Sequence, residues 1–142
     1  MLIEDTPELR ISLPRLIVGV GKQLGLTVNV TPAEDGEEGV NTYLKMLGSE
    51  NGVDAVITDI EMPKKDGFGV LEYIKGLRQL TPVYMATATQ KMEDIAERKK
   101  RAYEGPFPPD GFYQKPIESV VMKEILTDIL AKKVARYAHQ CF

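Results

Sequence analysis

Apolar runs and amphipathic stretches alternate along the chain, and the alternation predicts its elements. Met1-Leu2-Ile3 is a short apolar stub ending in Glu4-Asp5. Thr6-Pro7-Glu8 then reads as a helix entry, with Thr6 as N-cap, Pro7 in the first turn and an acid beside it. Leu9, Leu13, Leu16, Ile17, Val20 and Leu24 follow at helical spacing, and Gly25 closes the helix. An interior proline costs about 3 kcal/mol, so a kink is expected near Pro14. The β-branched run Leu26–Val30 predicts a strand and Glu34-Asp35-Gly36-Glu37 a turn; Val40, Tyr43, Leu44 and Leu47 mark one face of a second helix. Residues 48–52 read as a loop.

The next apolar run, Val53 to Thr58, ends in Asp59 and enters a loop marked by Pro63 and Gly67. Phe68, Leu71, Ile74 and Leu77 line a third helix, and Val83–Ala86 predicts a strand terminating at Thr87. A polar helix is expected over 91–103, a last strand at Phe112-Tyr113-Gln114 running into Lys115-Pro116, and a closing helix with Val121, Met122, Ile125, Leu126 and Ile129 inward. Five strand-helix repeats argue for a parallel sheet covered on both faces. Buried parallel strands read as near-continuous apolar runs, as the segment before Asp59 does.

Composition narrows the class. The chain has 142 residues, 43% hydrophobic and 27% charged, enough for one domain over 1–142 with a real core. A net charge of -3 supplies no general drive toward nucleic acid or anionic lipid. No apolar run approaches the length of a bilayer span, and no signal peptide is evident, so a cytoplasmic setting is expected. The single cysteine, Cys141, excludes an internal disulfide and is read as inert. His139, the only histidine, is read as a solvent residue. The basic run Arg98-Lys99-Lys100-Arg101 follows Glu93, Asp94 and Glu97 and is read as a solvated helix face. Met62, Met85 and Met92 are read as core or loop packing.

The candidate chemistry lies where the strands end. Glu4-Asp5, Asp59, Thr87 and Lys115 close four successive strands, and in a parallel sheet those ends share one edge. Gathered carboxylates repel one another, so they shift their pKa values or hold a cation. Oxygen ligands alone suit Mg²⁺, with Mn²⁺ as the alternative. A lysine supplies a point charge for a phosphoryl group and a threonine hydroxyl a donor to it. Together these groups suit phosphoryl transfer onto Asp59.

In these residues the chain resembles the receiver domain of two-component response regulators, of the chemotaxis-receiver type. The resemblance rests on Glu4-Asp5, on Asp59-Ile60-Glu61-Met62-Pro63 with Asp66-Gly67, on Thr87-Ala88 and on Lys115-Pro116, and covers nearly the whole chain. It implies a flavodoxin-like, doubly wound α/β fold with strand order 2-1-3-4-5 and five helices. It implies a phosphoprotein of signal transduction or of a phosphorelay, with Asp59 phosphorylated to an aspartyl phosphate by a histidine kinase or phosphotransfer protein. Asp5, Asp59 and the backbone carbonyl of Glu61 would hold the magnesium ion, with Glu4 acting directly or through water. Lys115 would contact the phosphoryl group, Thr87 would swing toward it, and Phe112 would be the switch aromatic. Glu61 and Thr89 match positions that tune hydrolysis. Pro116 matches a proline that commonly follows a cis peptide.

Partner expectations follow from the same resemblance: a kinase or phosphotransfer protein, and a homodimer through the face of the fourth helix, fifth strand and fifth helix. No direct contact with nucleic acid or membrane is expected, and no catalysis beyond the domain's own phosphorylation and dephosphorylation. The first helix, the stretch from Leu47 to Val53 and the segment from Ala102 to Gly111 are longer than the family usually shows, and the last is expected to reshape the output surface. The brevity of the first strand fits either a domain excised from a larger regulator or a chain trimmed at its N-terminus. Three alternatives stay open: a pseudo-receiver working only as an interaction module, a phosphatase with an aspartyl nucleophile and Glu61 as acid/base, and a flavodoxin-like cofactor binder. The last lacks a phosphate-binding loop after the first strand.

Overall fold

A computed structural model describes residues 1–49, 52–78 and 80–140. Part of the expected loop at 48–52 and the terminal Cys141 therefore lie outside the described residues. The elements run β1 (Leu2–Ile3), α1 (Pro7–Gln23), β2 (Pro32–Ala33), α2 (Gly36–Met46), β3 (Val56–Asp59), α3 (Gly67–Leu77), β4 (Val83–Thr87), α4 (Met92–Glu104), β5 (Gly111–Gln114) and α5 (Ser119–Gln140). All strands pair in parallel, in the order β2-β1-β3-β4-β5.

Alternation along each strand divides the core into two layers. Leu2, Ile57, Tyr84 and Ala86 face α1 and α5, where Leu13, Ile17, Met122 and Ile125 meet them. Ile3, Val56, Val83 and Met85 face the other way, onto Val40, Tyr43, Leu71 and Ile74 of α2 and α3. Helices on both faces are what bury a parallel sheet. They also force every strand to leave at the same edge.

Helix boundaries follow local chemistry. Thr6 is the N-cap of α1, without a side-chain capping bond, and Pro7 stands in the first turn. At the other end Gly25 adopts φ 73° and donates to the Lys22 carbonyl, while Leu26 donates to that of Gly21, a Schellman closure. Helical backbone continues through Pro14, with Leu13 and Ile17 buried on either side. Asp35 and Asp66 cap α2 and α3 by accepting from Glu38 N and Gly69 N.

Several expectations are corrected. The second strand is Pro32–Ala33, not Leu26–Val30, because β1 offers only Leu2 and Ile3 for pairing. The β-branched residues upstream instead lay Val28 and Val30 against the α1 layer. A proline is tolerated there because β2 is an edge strand. The predicted turn at 34–37 is shortened, since Gly36 already begins α2. Leu44, Leu77 and Met92 are exposed rather than packed, at 39%, 49% and 75%. They sit at the margin of their faces, or in the first turn of α4, where the sheet does not reach. Met85 is buried, and Met62 packs partly against the second layer.

The segment from Gly105 to Asp110 is pinned. Asp110 accepts from Lys75 Nζ at 2.6 Å, Lys132 Nζ at 2.8 Å and Val83 N at 2.8 Å. Through Lys132, and through Lys133 and Arg136 on Asp54, the far half of α5 is tied to the opposite edge of the sheet from Asp59.

Candidate phosphoacceptor site

Asp59 is the last residue of β3, and its place is set by the backbone around it. Ile60 N donates to Asp59 Oδ1 at 3.0 Å, and Thr58 Oγ1 donates to the Asp59 carbonyl at 2.9 Å. The chain then doubles back, with Gly67 N bonded to the Ile60 carbonyl at 2.8 Å. A Cβ on Gly67 would stand 2.5 Å from the Asp59 carbonyl oxygen, so only glycine fits. The same loop passes Gly36, where a Cβ would stand 2.1 Å from the Lys65 carbonyl oxygen.

Carboxylate oxygens of Glu4, Asp5 and Asp59 lie within 4.8 Å of one another. Lys115, delivered by β5, reaches between them: its Nζ is 2.5 Å from Glu4 Oε2 and 3.1 Å from Asp59 Oδ1. Burial pushes Asp59 up to about 8, helped by its hydrogen bond with Asp5 and the charge of Glu4 and opposed by Lys115. Burial would lower Lys115, but Glu4 and Asp59 hold it above the ordinary lysine value. One ammonium thus meets two of the three clustered carboxyl groups, and the cluster remains short of positive charge. An all-oxygen set with that deficit fits a hard divalent cation.

The expected residues divide into two groups. Glu4, Asp5, Asp59 and Lys115 come together as predicted, and the Lys115-Pro116 peptide is cis. Thr87, fully buried at the end of β4, turns instead toward Glu61, its Oγ1 donating to Glu61 Oε1 at 2.9 Å. Thr89 N donates to Thr87 Oγ1 at 3.3 Å. Phe112 pairs in register with Met85 and packs, partly buried, against the α2 and α3 layer.

Three contributions were not read from the sequence. Arg10 Nη1 donates to the carbonyls of Glu4 and Asp5 at 2.9 and 3.2 Å, holding the turn that carries both acids. Thr6 N donates to Glu4 Oε1 at 3.1 Å, so both oxygens of Glu4 are engaged. Arg98 Nε lies 3.0 Å from Glu61 Oε1. An arginine one turn after an acid pair was the available signal for Arg10; Arg98 was hidden in its basic run. In that run Lys99, Lys100 and Arg101 are exposed, as a solvated face requires, and Arg101 also lies 4.0 Å from the center of the Phe68 ring; Arg98 alone is half-buried and turns to Glu61. His139 is exposed as expected.

The family model of the response regulator receiver domain matches residues 1–127. The chain belongs to that family. Among relatives, it is 32% identical over 115 residues to the sensor histidine kinase RcsC of Escherichia coli, covering 80% of this chain and 11% of that protein. It is 27% identical over 138 residues to the autoinducer 1 sensor kinase/phosphatase LuxN of Vibrio campbellii, covering 97% of this chain and 14% of that protein. This receiver domain therefore spans only about a tenth of those relatives' length. The signal receiver domain of a histidine kinase from Syntrophus aciditrophicus superposes with TM-score 0.66 at 25% identity, over 92% of this chain and 88% of that one. A response regulator receiver domain from Clostridium thermocellum gives 0.67 at 20% identity, over 94% of each chain, a likeness of fold. The receiver places this chain in two-component signalling. No helix among the described residues is long and apolar enough to cross a membrane.

Proposed function

We propose that Asp59 is a phosphoacceptor, taking a phosphoryl group from the phosphohistidine of a kinase or phosphotransfer protein. The observation that carries this reading is Lys115 lying between Glu4 and Asp59 inside a cluster of three carboxyl groups. In the transfer an Asp59 carboxylate oxygen bonds to phosphorus as the donor's nitrogen–phosphorus bond breaks, and the imidazole leaves with the electron pair. Asp59 is presented by its backbone contacts, and Lys115 meets the incoming negative charge without moving far. Catalysis of this kind is mostly positioning and charge neutralisation.

Asp5, Asp59 and the Glu61 backbone carbonyl would hold Mg²⁺ or Mn²⁺, and Glu4, whose oxygens are both engaged, would contribute through water. When bound, the ion supplies the positive charge that the acids lack and neutralises phosphoryl oxygens. The phosphoryl group would draw Thr87 and bias the face of α4, β5 and α5 with Phe112, opening or closing it to a partner or to a second copy. The relatives' names as sensor kinases support a kinase in the same signalling chain. A cytoplasmic setting without direct nucleic acid contact suits that role.

The domain is read as a stoichiometric acceptor that loses its phosphoryl group slowly to water, tuned by Glu61 and Thr89. A phosphatase would need Glu61 as acid/base, yet its Oε1 is shared by Thr87 and Arg98, which speaks against that role. The test is intact mass after incubation with acetyl phosphate and Mg²⁺. A gain of one phosphoryl group that disappears in Asp59→Asn supports the reading. No gain in the wild type returns the domain to the pseudo-receiver alternative.

A further inference from the structure

Thr87 can donate its hydroxyl proton once. In this structure the proton goes to Glu61 Oε1, and the same oxygen is held by Arg98 Nε. We propose that Arg98 is a positioning residue: by clamping Glu61 it keeps Thr87 turned from Asp59, so phosphorylation must break a latch that reaches onto α4. The inference rests on the phosphoacceptor reading and adds a residue to it.

Burial and geometry separate this latch from a chance surface pair. Thr87 is fully buried, whereas the Glu61 side chain is 40% exposed. A glutamate so exposed gains little from staying in one place, and exposed pairs alone are weak. Arg98, with a side chain only 28% exposed, turns that mobile carboxylate into a fixed acceptor. Its own hydrogen bonding is incomplete: Nη1 is buried and finds no acceptor among the described residues. A buried donor without a partner carries a penalty, which offsets part of what the contact with Glu61 gains.

The latch also gives the site a mechanical connection. Arg98 is one turn from Arg101, which stacks over Phe68 of α3. Helix α4 is therefore tethered to α3 through one arginine and to the phosphoryl site through the other. Drawing Thr87 toward a phosphoryl oxygen removes the hydroxyl that helps to fix Glu61, and the second tether loosens. The motion of a buried threonine thus becomes a change in how α4 is held, which is the differential contact a two-state switch requires.

Arg98→Ala separates this account from simple neutralisation, because the two predict opposite signs. If Arg98 merely neutralises Glu61, its loss leaves an uncompensated carboxylate near the site and lowers phosphorylation. If it positions Glu61, its loss frees Thr87 and raises the ratio of phosphorylated to unmodified protein at subsaturating acetyl phosphate, by roughly fivefold, a modest coupling between linked sites. Glu61→Ala should give a similar rise, the double variant no further rise, and Thr87→Ala should erase both effects. A fall or no change in Arg98→Ala, or rises that persist without Thr87, overturns the proposal.

The resting state can be read directly, without any phosphodonor. The Thr87 methyl resonance of the unmodified protein should move in Arg98→Ala, and toward its position in Glu61→Ala. An unmoved resonance refutes the latch even if phosphorylation proceeds. A wild type that gains no mass refutes the phosphoacceptor reading, while the methyl resonance still decides whether Arg98 positions Thr87.

Discussion

Gly67→Ala and Gly19→Ala make an instructive pair, since both replace a helical glycine and the new methyl group meets backbone at one position and open space at the other. At Gly19, within α1, nothing lies within 4 Å of a Cβ. Alanine there should stabilise the domain by about 0.5–1 kcal/mol, the difference in helix propensity. At Gly67, the first residue of α3, the Cβ would stand 2.5 Å from the Asp59 carbonyl oxygen and 2.8 Å from Ile60 Cα. Both are backbone atoms, and the carbonyl must retreat by the better part of an ångström. That movement disturbs the bond from Thr58 Oγ1 to the same carbonyl and the bond from Gly67 N to Ile60 O. Each is worth about 1 kcal/mol. With an overpacking cost of about 1–3 kcal/mol, the clash outweighs any propensity gain, and a net loss of about 2–4 kcal/mol is expected. Urea unfolding followed by far-UV circular dichroism would read both variants, with Gly67→Ala also impaired in phosphoryl uptake because Asp59 is displaced. If Gly67→Ala were neutral or stabilising, like Gly19→Ala, the tight return of the loop beneath Asp59 would be wrong.

Two further outcomes follow from the charges. Because Asp59 sits near 8 without a cation, binding of Mg²⁺ should release about one proton at neutral pH and tighten as pH rises toward 8; calorimetry in buffers of different ionisation enthalpy measures this, and pH-independent binding would contradict it. Burial would raise Asp110, but hydrogen bonds from Lys132, Lys75 and Val83 N hold it below the ordinary carboxylate range. Its folded pKa is thus depressed, so its contribution is present above the unfolded value, near 4, and is lost as pH falls through the folded value. Asp110→Asn should lower stability at pH 7 and flatten the acid limb of the stability profile, as read by urea midpoints across pH. An acid limb identical to the wild type would remove Asp110 from the anchoring of the 105–110 segment.

The sequence by itself determined the class of the fold and which polar residues reach one edge of its sheet. Five apolar runs separated by helical periods require a parallel sheet, and a parallel sheet sends Glu4-Asp5, Asp59, Thr87 and Lys115 to one edge. That inference is robust because it depends on order along the chain and not on distances. It failed for the second strand, where β-propensity favoured Leu26–Val30 but the two residues of β1 dictated pairing at Pro32–Ala33. What tertiary structure alone decided is which donor meets which acceptor. Arg98 and Lys99 are neighbours in one basic run, yet the turn of α4 sends one to Glu61 and the other to solvent. Thr87 stands at the expected edge, but its hydroxyl is committed to Glu61, a residue 26 positions away. Such pairings depend on the packing of α4 against the loop after β3. A linear pattern of polar and apolar residues carries no information about them, because every partner on a helix surface satisfies the same periodicity.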